Sequence, residues 1–140
     1  MPPKQILSRV ITPGEEMTFS AESPPYAVVF EDDGQTGYFY GLDRRLDEPL
    51  LDALHVYDSE PLLEQLETGK AHIDIWVSED GLAVSLLVNG KDQAFFDFGD
   101  KRAMCRTGFP PPERGYTESH EWDEKALHRM SSFDKNGEPL

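Results

Sequence analysis

Val28-Val29-Phe30-Glu31-Asp32-Asp33-Gly34, running into Tyr38-Phe39-Tyr40, and Ile75-Trp76-Val77-Ser78-Glu79-Asp80-Gly81, running into Ala83 to Val88, are one pattern used twice, 47 positions apart. Each is an apolar run, an acidic Asp-Gly turn and a second apolar run, which reads as a β-hairpin. Gly tolerates positive φ without steric cost, and the type I′ turns that match strand twist need that geometry. The positions after each Gly share almost no side-chain identity. The pair therefore reads as two ordinary hairpins in one antiparallel sheet, since repeat arrays need several units.

Working outward, residues 72–77, 82–88 and 94–98 form a three-strand meander joined by Asp80-Gly81 and Asn89-Gly90. Residues 101–106 add a strand with Ala103 and Cys105 on one face and Arg102, Met104 and Arg106 on the other. Residues 6–12 and 17–21 read as edge strands or arms stopped by prolines. Between 43 and 58 we expect a strand centred on Val56, because β-branched and aromatic residues lead into Asp58-Ser59. Ser59 caps a short helix with Pro61 in its first turn, Leu62, Leu63 and Leu66 as its buried stripe, and Gly69 as its stop. Pro110-Pro111-Pro112 runs as polyproline II, residues 121–130 form a C-terminal helix, and residues 131–140 are mobile. The expected fold is α+β in one domain over 1–140. It has a mainly antiparallel sheet of six to eight strands, a mid-chain helix over 61–66, a core over 5–110, and the C-terminal segment over 110–130.

The chain of 140 residues carries 27 Asp and Glu against 13 Lys and Arg, a net charge of −14. Residues 31–100 alone hold 17 acids and four bases. Such a body lacks the cations that phosphate contacts require and is repelled by anionic membranes, so nucleic acid and membrane are not expected partners. A basic protein is. Cys105 is the one cysteine, which excludes an intrachain disulfide and suits a reducing compartment. No signal-peptide run or membrane span is read, and a cytoplasmic location is expected.

Motifs for chemistry are weak. Glu31, Asp32, Asp33 and Asp43 gather carboxylates near one turn, but their spacing does not fit the EF-hand loop, and turn chemistry accounts for them. His120, Glu124 and His128 recur at i, i+4 and i+8, not in the His-Glu-x-x-His order of zinc-protease helices. His55 and His72 fall on strands. Cys105 lies near Arg102 and Arg106, neighbours of the kind that favour a thiolate, yet strand alternation turns it away from both. Asp97-Phe98-Gly99 has none of the kinase partner motifs, and no P-loop or Gly-x-Ser-x-Gly elbow is present. No catalytic residue, metal or cofactor is expected. What remains is surface: Tyr38, Tyr40, Tyr57 and Trp76, ringed by Asp32, Asp33, Asp43 and Asp58, form a candidate acidic-aromatic patch for a basic partner, unless those aromatics fill the core.

The strings Phe30 to Tyr40, Leu51 to Tyr57, and Val88-Asn89-Gly90 through Ala94 to Phe98 resemble a family of small acidic bacterial proteins known as a domain of unknown function. The likeness covers residues 25–110. It implies a bacterial origin and a compact β-rich domain, and no activity. Size, acidity and β-content are also similar to immunity proteins that neutralise toxins, without a shared motif. The functional expectation is a non-enzymatic binding module, of inhibitor or immunity type, for a basic partner. The alternative is a small enzyme or ligand-binding protein with a pocket near His55, His72 and Cys105. A homodimer paired through edge strands near residues 6–11 is also open.

Overall fold

The computed structural model describes residues 3–130; the tail expected to be mobile, 131–140, lies outside them. In chain order the elements are β1 (Lys4–Ile11), β2 (Met17–Ser23), β3 (Tyr26–Asp32), β4 (Thr36–Asp43), β5 (Leu50–Asp58), α1 (Ser59–Gln65), β6 (Ala71–Val77), β7 (Ala83–Val88), β8 (Lys91–Asp97), β9 (Arg102–Cys105) and a 3₁₀ helix (Glu124–Met130). The α+β, antiparallel expectation holds. The described residues carry nine strands where six to eight were expected, and they divide into two sheets, β1-β6-β7-β8-β9 and β2-β3-β4-β5. The division comes from a long-range pairing: β1 lies against β6, from Lys4 opposite Val77 to Ile11 opposite Ala71. Hairpin signals are local and do not contain that partner.

The sheets pack face to face because each strand alternates. In β4 the buried positions Gly37, Phe39, Gly41 and Asp43 point inward while Tyr38 and Tyr40 point out. Phe39 meets Phe96 of the other sheet at 5.6 Å between ring centroids, and Phe96 stacks on Phe98, which stacks on Tyr26. Phe30, Phe39 and Phe96 are fully buried, each contributing about 1.5–3 kcal/mol over an exposed ring. Gly41 permits this contact, since a Cβ there would stand 2.7 Å from the Phe96 ring.

Local chemistry departs from expectation at three places. The type I′ geometry sits at Asn89-Gly90, where both φ angles are positive and Val88 pairs with Lys91. At the first acidic turn only Gly34 has positive φ, because the Asp33 side chain accepts the N–H groups of Gln35 and Thr36 and shapes a longer loop. Ser59 is not the cap of α1. Its hydroxyl donates to the buried Asp32, and Asp58 occupies the cap position without a side-chain capping bond. Leu62 and Leu66 pack on the core, whereas Leu63 is exposed and the helix ends at Gln65, ahead of Gly69.

After β9 the chain crosses the outer face of the five-stranded sheet as a strap. Trp122, Ala126, Leu127 and Met130 cover Ala83, Phe95 and Met104. Its helical part is 3₁₀ and starts later than expected, because the Asp123 carboxylate accepts the Lys125 N–H at its start. His120 lies before that helix, so His120, Glu124 and His128 do not share one α-helical face. It anchors the strap instead. His120 Nε2 is 2.7 Å from Asp52 Oδ2, its Nδ1 bonds the Pro110 carbonyl, and its backbone carbonyl accepts the Cys105 N–H.

Candidate functional site

The strap covers one outer face of the sandwich. On the other, β4 presents Tyr38 and Tyr40 side by side, 6.1 Å apart and near parallel. The row continues across β5: the His55 ring stands edge-on to Tyr38 at 5.7 Å, and Phe109, 52% exposed, stands edge-on to His55 at 5.9 Å. Three rings on neighbouring strands and one from the loop after β9 thus make one aromatic strip, in which Tyr38 and Tyr40 are half-buried, Phe109 is exposed and His55 is covered between them.

Carboxylates line it. Tyr40 donates its hydroxyl to Glu31 at 3.0 Å; burial first, then that bond and the charges of Glu31, Tyr38 and Asp33, push its pKa up to about 12. Tyr38 is raised by burial and by the negative charges of Asp33 and Asp58. The backbone N–H groups of Gln35 and Thr36 hold Asp33 below the ordinary carboxylate range, so it is ionised at neutral pH. At the same end the β1–β2, β3–β4 and β5–α1 connections meet, with Gly14 against Ser59 and Gly34 against Glu16. Glu15, Glu16, Asp33, Asp58 and Glu60 are exposed there, and among the described residues none of them pairs with a Lys or Arg.

Of the residues singled out from the sequence, Asp33, Tyr38, Tyr40 and Asp58 come together on this face. Asp32 and Tyr57 lie directly inside it. Asp32 is 1% exposed and accepts the N–H groups of Gly14 and Gly34 and the hydroxyls of Tyr57 and Ser59, pinning the three connections to one carboxylate. Tyr57 is raised by burial and by its bond to Asp32. Both build the end of the sandwich rather than its surface. Asp43 is at the far end of β4, chelated by Arg45. Trp76 belongs to β6, opposite Gln5 and Ser85 on the other sheet, and does not join the strip.

Glu31, His55, Thr107 and Phe109 were not read from the sequence as members of this face. His55 Nε2 is 3.0 Å from Asp58 Oδ1, and its Nδ1 is 3.0 Å from Thr107 Oγ1. The His55 N–H also donates to the Phe109 carbonyl, docking the loop after β9 along the edge of β5. Cys105 is fully buried beside this loop, its thiol donating to the Phe109 carbonyl at 3.3 Å. His72 is exposed on β6 of the other sheet, so the trio His55, His72 and Cys105 is not assembled in one place. Asp52 and His120, by contrast, form a fully buried pair with no sequence signal, being 68 residues apart.

The arrangement is that of a small acidic α+β protein built from two antiparallel sheets, with one outer face strapped and the other presenting aromatics among carboxylates. The chain belongs to the family described as "Uncharacterized protein conserved in bacteria" (DUF2251), which matches residues 11–131 and so takes in β2 to β9 and the strap. It is similar to an "Uncharacterized protein" of Haemophilus influenzae (strain ATCC 51907 / DSM 11121 / KW20 / Rd), 39% identical over 103 residues, covering 73% of this chain. The match spans 63% of that relative's length, less than two thirds. No solved structure matches the chain. Among the described residues no helix is long and apolar enough to cross a membrane.

Proposed function

We propose that the protein is a cytoplasmic binding module whose outer β2–β5 face engages a basic segment of a partner protein, in the manner of an inhibitor or immunity protein. The observation that carries this reading is the aromatic strip Tyr38, Tyr40, His55 and Phe109 set among Glu31, Asp33 and Asp58. Aromatic faces attract Lys and Arg through the ring quadrupole, and ionised carboxylates at the rim steer a cationic partner and fix its register. The net charge of −14 extends that attraction beyond the contact area. The buried thiol of Cys105, with no second cysteine in the chain, is compatible with a reducing compartment.

The test is affinity capture on the intact protein, comparing wild type with a Tyr38→Ala/Tyr40→Ala variant across a salt series. A basic protein held by wild type, released by salt and absent from the variant supports the reading. Equal capture by both proteins, or capture insensitive to salt, contradicts it.

A further inference from the structure

The contact Asp58–His55–Thr107 has the order of an acid, a base and a hydroxyl nucleophile. An ionised carboxylate only accepts hydrogen bonds, so Asp58 requires a proton on His55 Nε2. In the neutral ring the lone pair is then on Nδ1, and it faces the Thr107 hydroxyl at 3.0 Å, which donates to it. The ring is fixed from both sides. Tyr38 and Phe109 pack edge-on against it, and the backbone N–H of the same residue holds the Phe109 carbonyl. His55 is 8% exposed while Thr107 is an exposed residue whose Oγ1 also accepts the Phe109 N–H at 3.3 Å, so the base is shielded and the hydroxyl is held toward it on a residue at the surface.

We propose that Thr107 is a nucleophile activated by His55, with Asp58 as the positioning residue, and that it takes an acyl group from activated esters. In the forward step Thr107 Oγ1 bonds to the ester carbonyl carbon as its proton passes to His55 Nδ1. The bond from that carbon to the leaving oxygen breaks, and the departing oxygen recovers the proton from His55. Water, activated by the same nitrogen, releases the acid and restores the hydroxyl. Cys105 Sγ lies 3.6 Å from Thr107 Oγ1 but is fully buried and directs its proton to the Phe109 carbonyl, which leaves the Thr107 oxygen as the reacting atom.

The experiment is p-nitrophenyl acetate added to the full chain, with p-nitrophenolate release followed by absorbance and the acetyl group located by peptide mass mapping. The expected result is acetyl on Thr107, formed about 10²–10⁴-fold more slowly in His55→Gln, absent in Thr107→Val and retained on the serine hydroxyl of Thr107→Ser. Acetyl confined to lysines or to Cys105, or an undiminished Thr107 rate in a folded His55→Gln protein, overturns the proposal. Should His55→Gln fail to fold, the Thr107→Ser and Thr107→Val pair decides it, and equal ester turnover by those two overturns it. Binding of a basic partner is measured separately and does not bear on this outcome.

Discussion

Replacing His120 by Leu should destabilise the protein through one buried carboxylate. His120 is 1% exposed and its side chain meets Asp52, 5% exposed, at 2.7 Å. Both ring nitrogens face acceptors, Asp52 on one side and the Pro110 carbonyl on the other, so the ring that satisfies both is the imidazolium. Leu is close in volume to His but leaves the buried Asp52 carboxylate with, among the described residues, the Ala53 N–H as its one remaining partner. Breaking a buried pair in this way costs about 3–5 kcal/mol, or roughly 10–20 °C in Tm for a chain of this size. The pH dependence has a definite sign. Burial alone lowers the His120 pKa, but the bonds to Asp52 and Pro110 and the charge of Asp52 outweigh it, and the net shift is upward. The folded state therefore holds this proton more tightly than the unfolded state. The pair's contribution is complete below an unfolded histidine value of about 6.5 and is lost as pH rises through the higher folded value. Urea unfolding of wild type and His120→Leu at a series of pH values should give a stability difference that is large at mildly acidic pH and shrinks in alkali. A difference below about 1 kcal/mol near pH 6, or one that does not change with pH, would refute the reasoning.

Asp32→Ala removes the acceptor for two backbone N–H groups and two hydroxyls, and at about 1–3 kcal/mol for each donor left unpaired it should be among the most damaging single changes, read by chemical denaturation. Gly41→Ala sets a methyl 2.7 Å from Phe96 and should cost about 1–3 kcal/mol by overpacking, measured as a lowered Tm; an unchanged Tm would mean that the sheets are less closely packed there. Asp80 is held at about 2, because bonds from Ser78, the Leu82 N–H and Arg129 outweigh the upward push of burial. Its contribution is present above an unfolded value of about 3.9 and fades as pH falls toward 2, and Arg129→Met should raise the Asp80 pKa in an NMR titration and open the strap to proteases.

Strand positions were largely legible because they are short-range. The alternation in Thr36–Asp43 alone tells which side chains are buried, and Asn89-Gly90 names its own turn. Sheet membership was not, because nothing within Lys4–Ile11 says that its partner lies some 65 residues on in β6. The same limit governs the candidate site. Tyr38, Tyr40, Asp33 and Asp58 share one hairpin and the strand next to it, and their grouping could be read from sequence. Asp32 and Asp33 are adjacent acids with opposite fates, since alternation sends Asp32 inward to four donors while Asp33 remains in the loop. Thr107 reaches His55 only through the path of the loop after β9, and the bond spans 52 residues. Ser59 could not be recognised as a partner of Asp32, because its position favours a helix cap as strongly as a buried hydroxyl.

The binding face is tested most directly by adding a short oligoarginine peptide to isotope-labelled protein and following the backbone amide resonances, first at low and then at high salt. The account predicts shifts concentrated on Glu31, Asp33, Tyr38, Tyr40, His55 and Asp58, reversed by salt and abolished in the Tyr38→Ala/Tyr40→Ala variant. Shifts centred instead on the strapped face, around Arg102, Trp122 and Asp123, or no shifts at all, would contradict it.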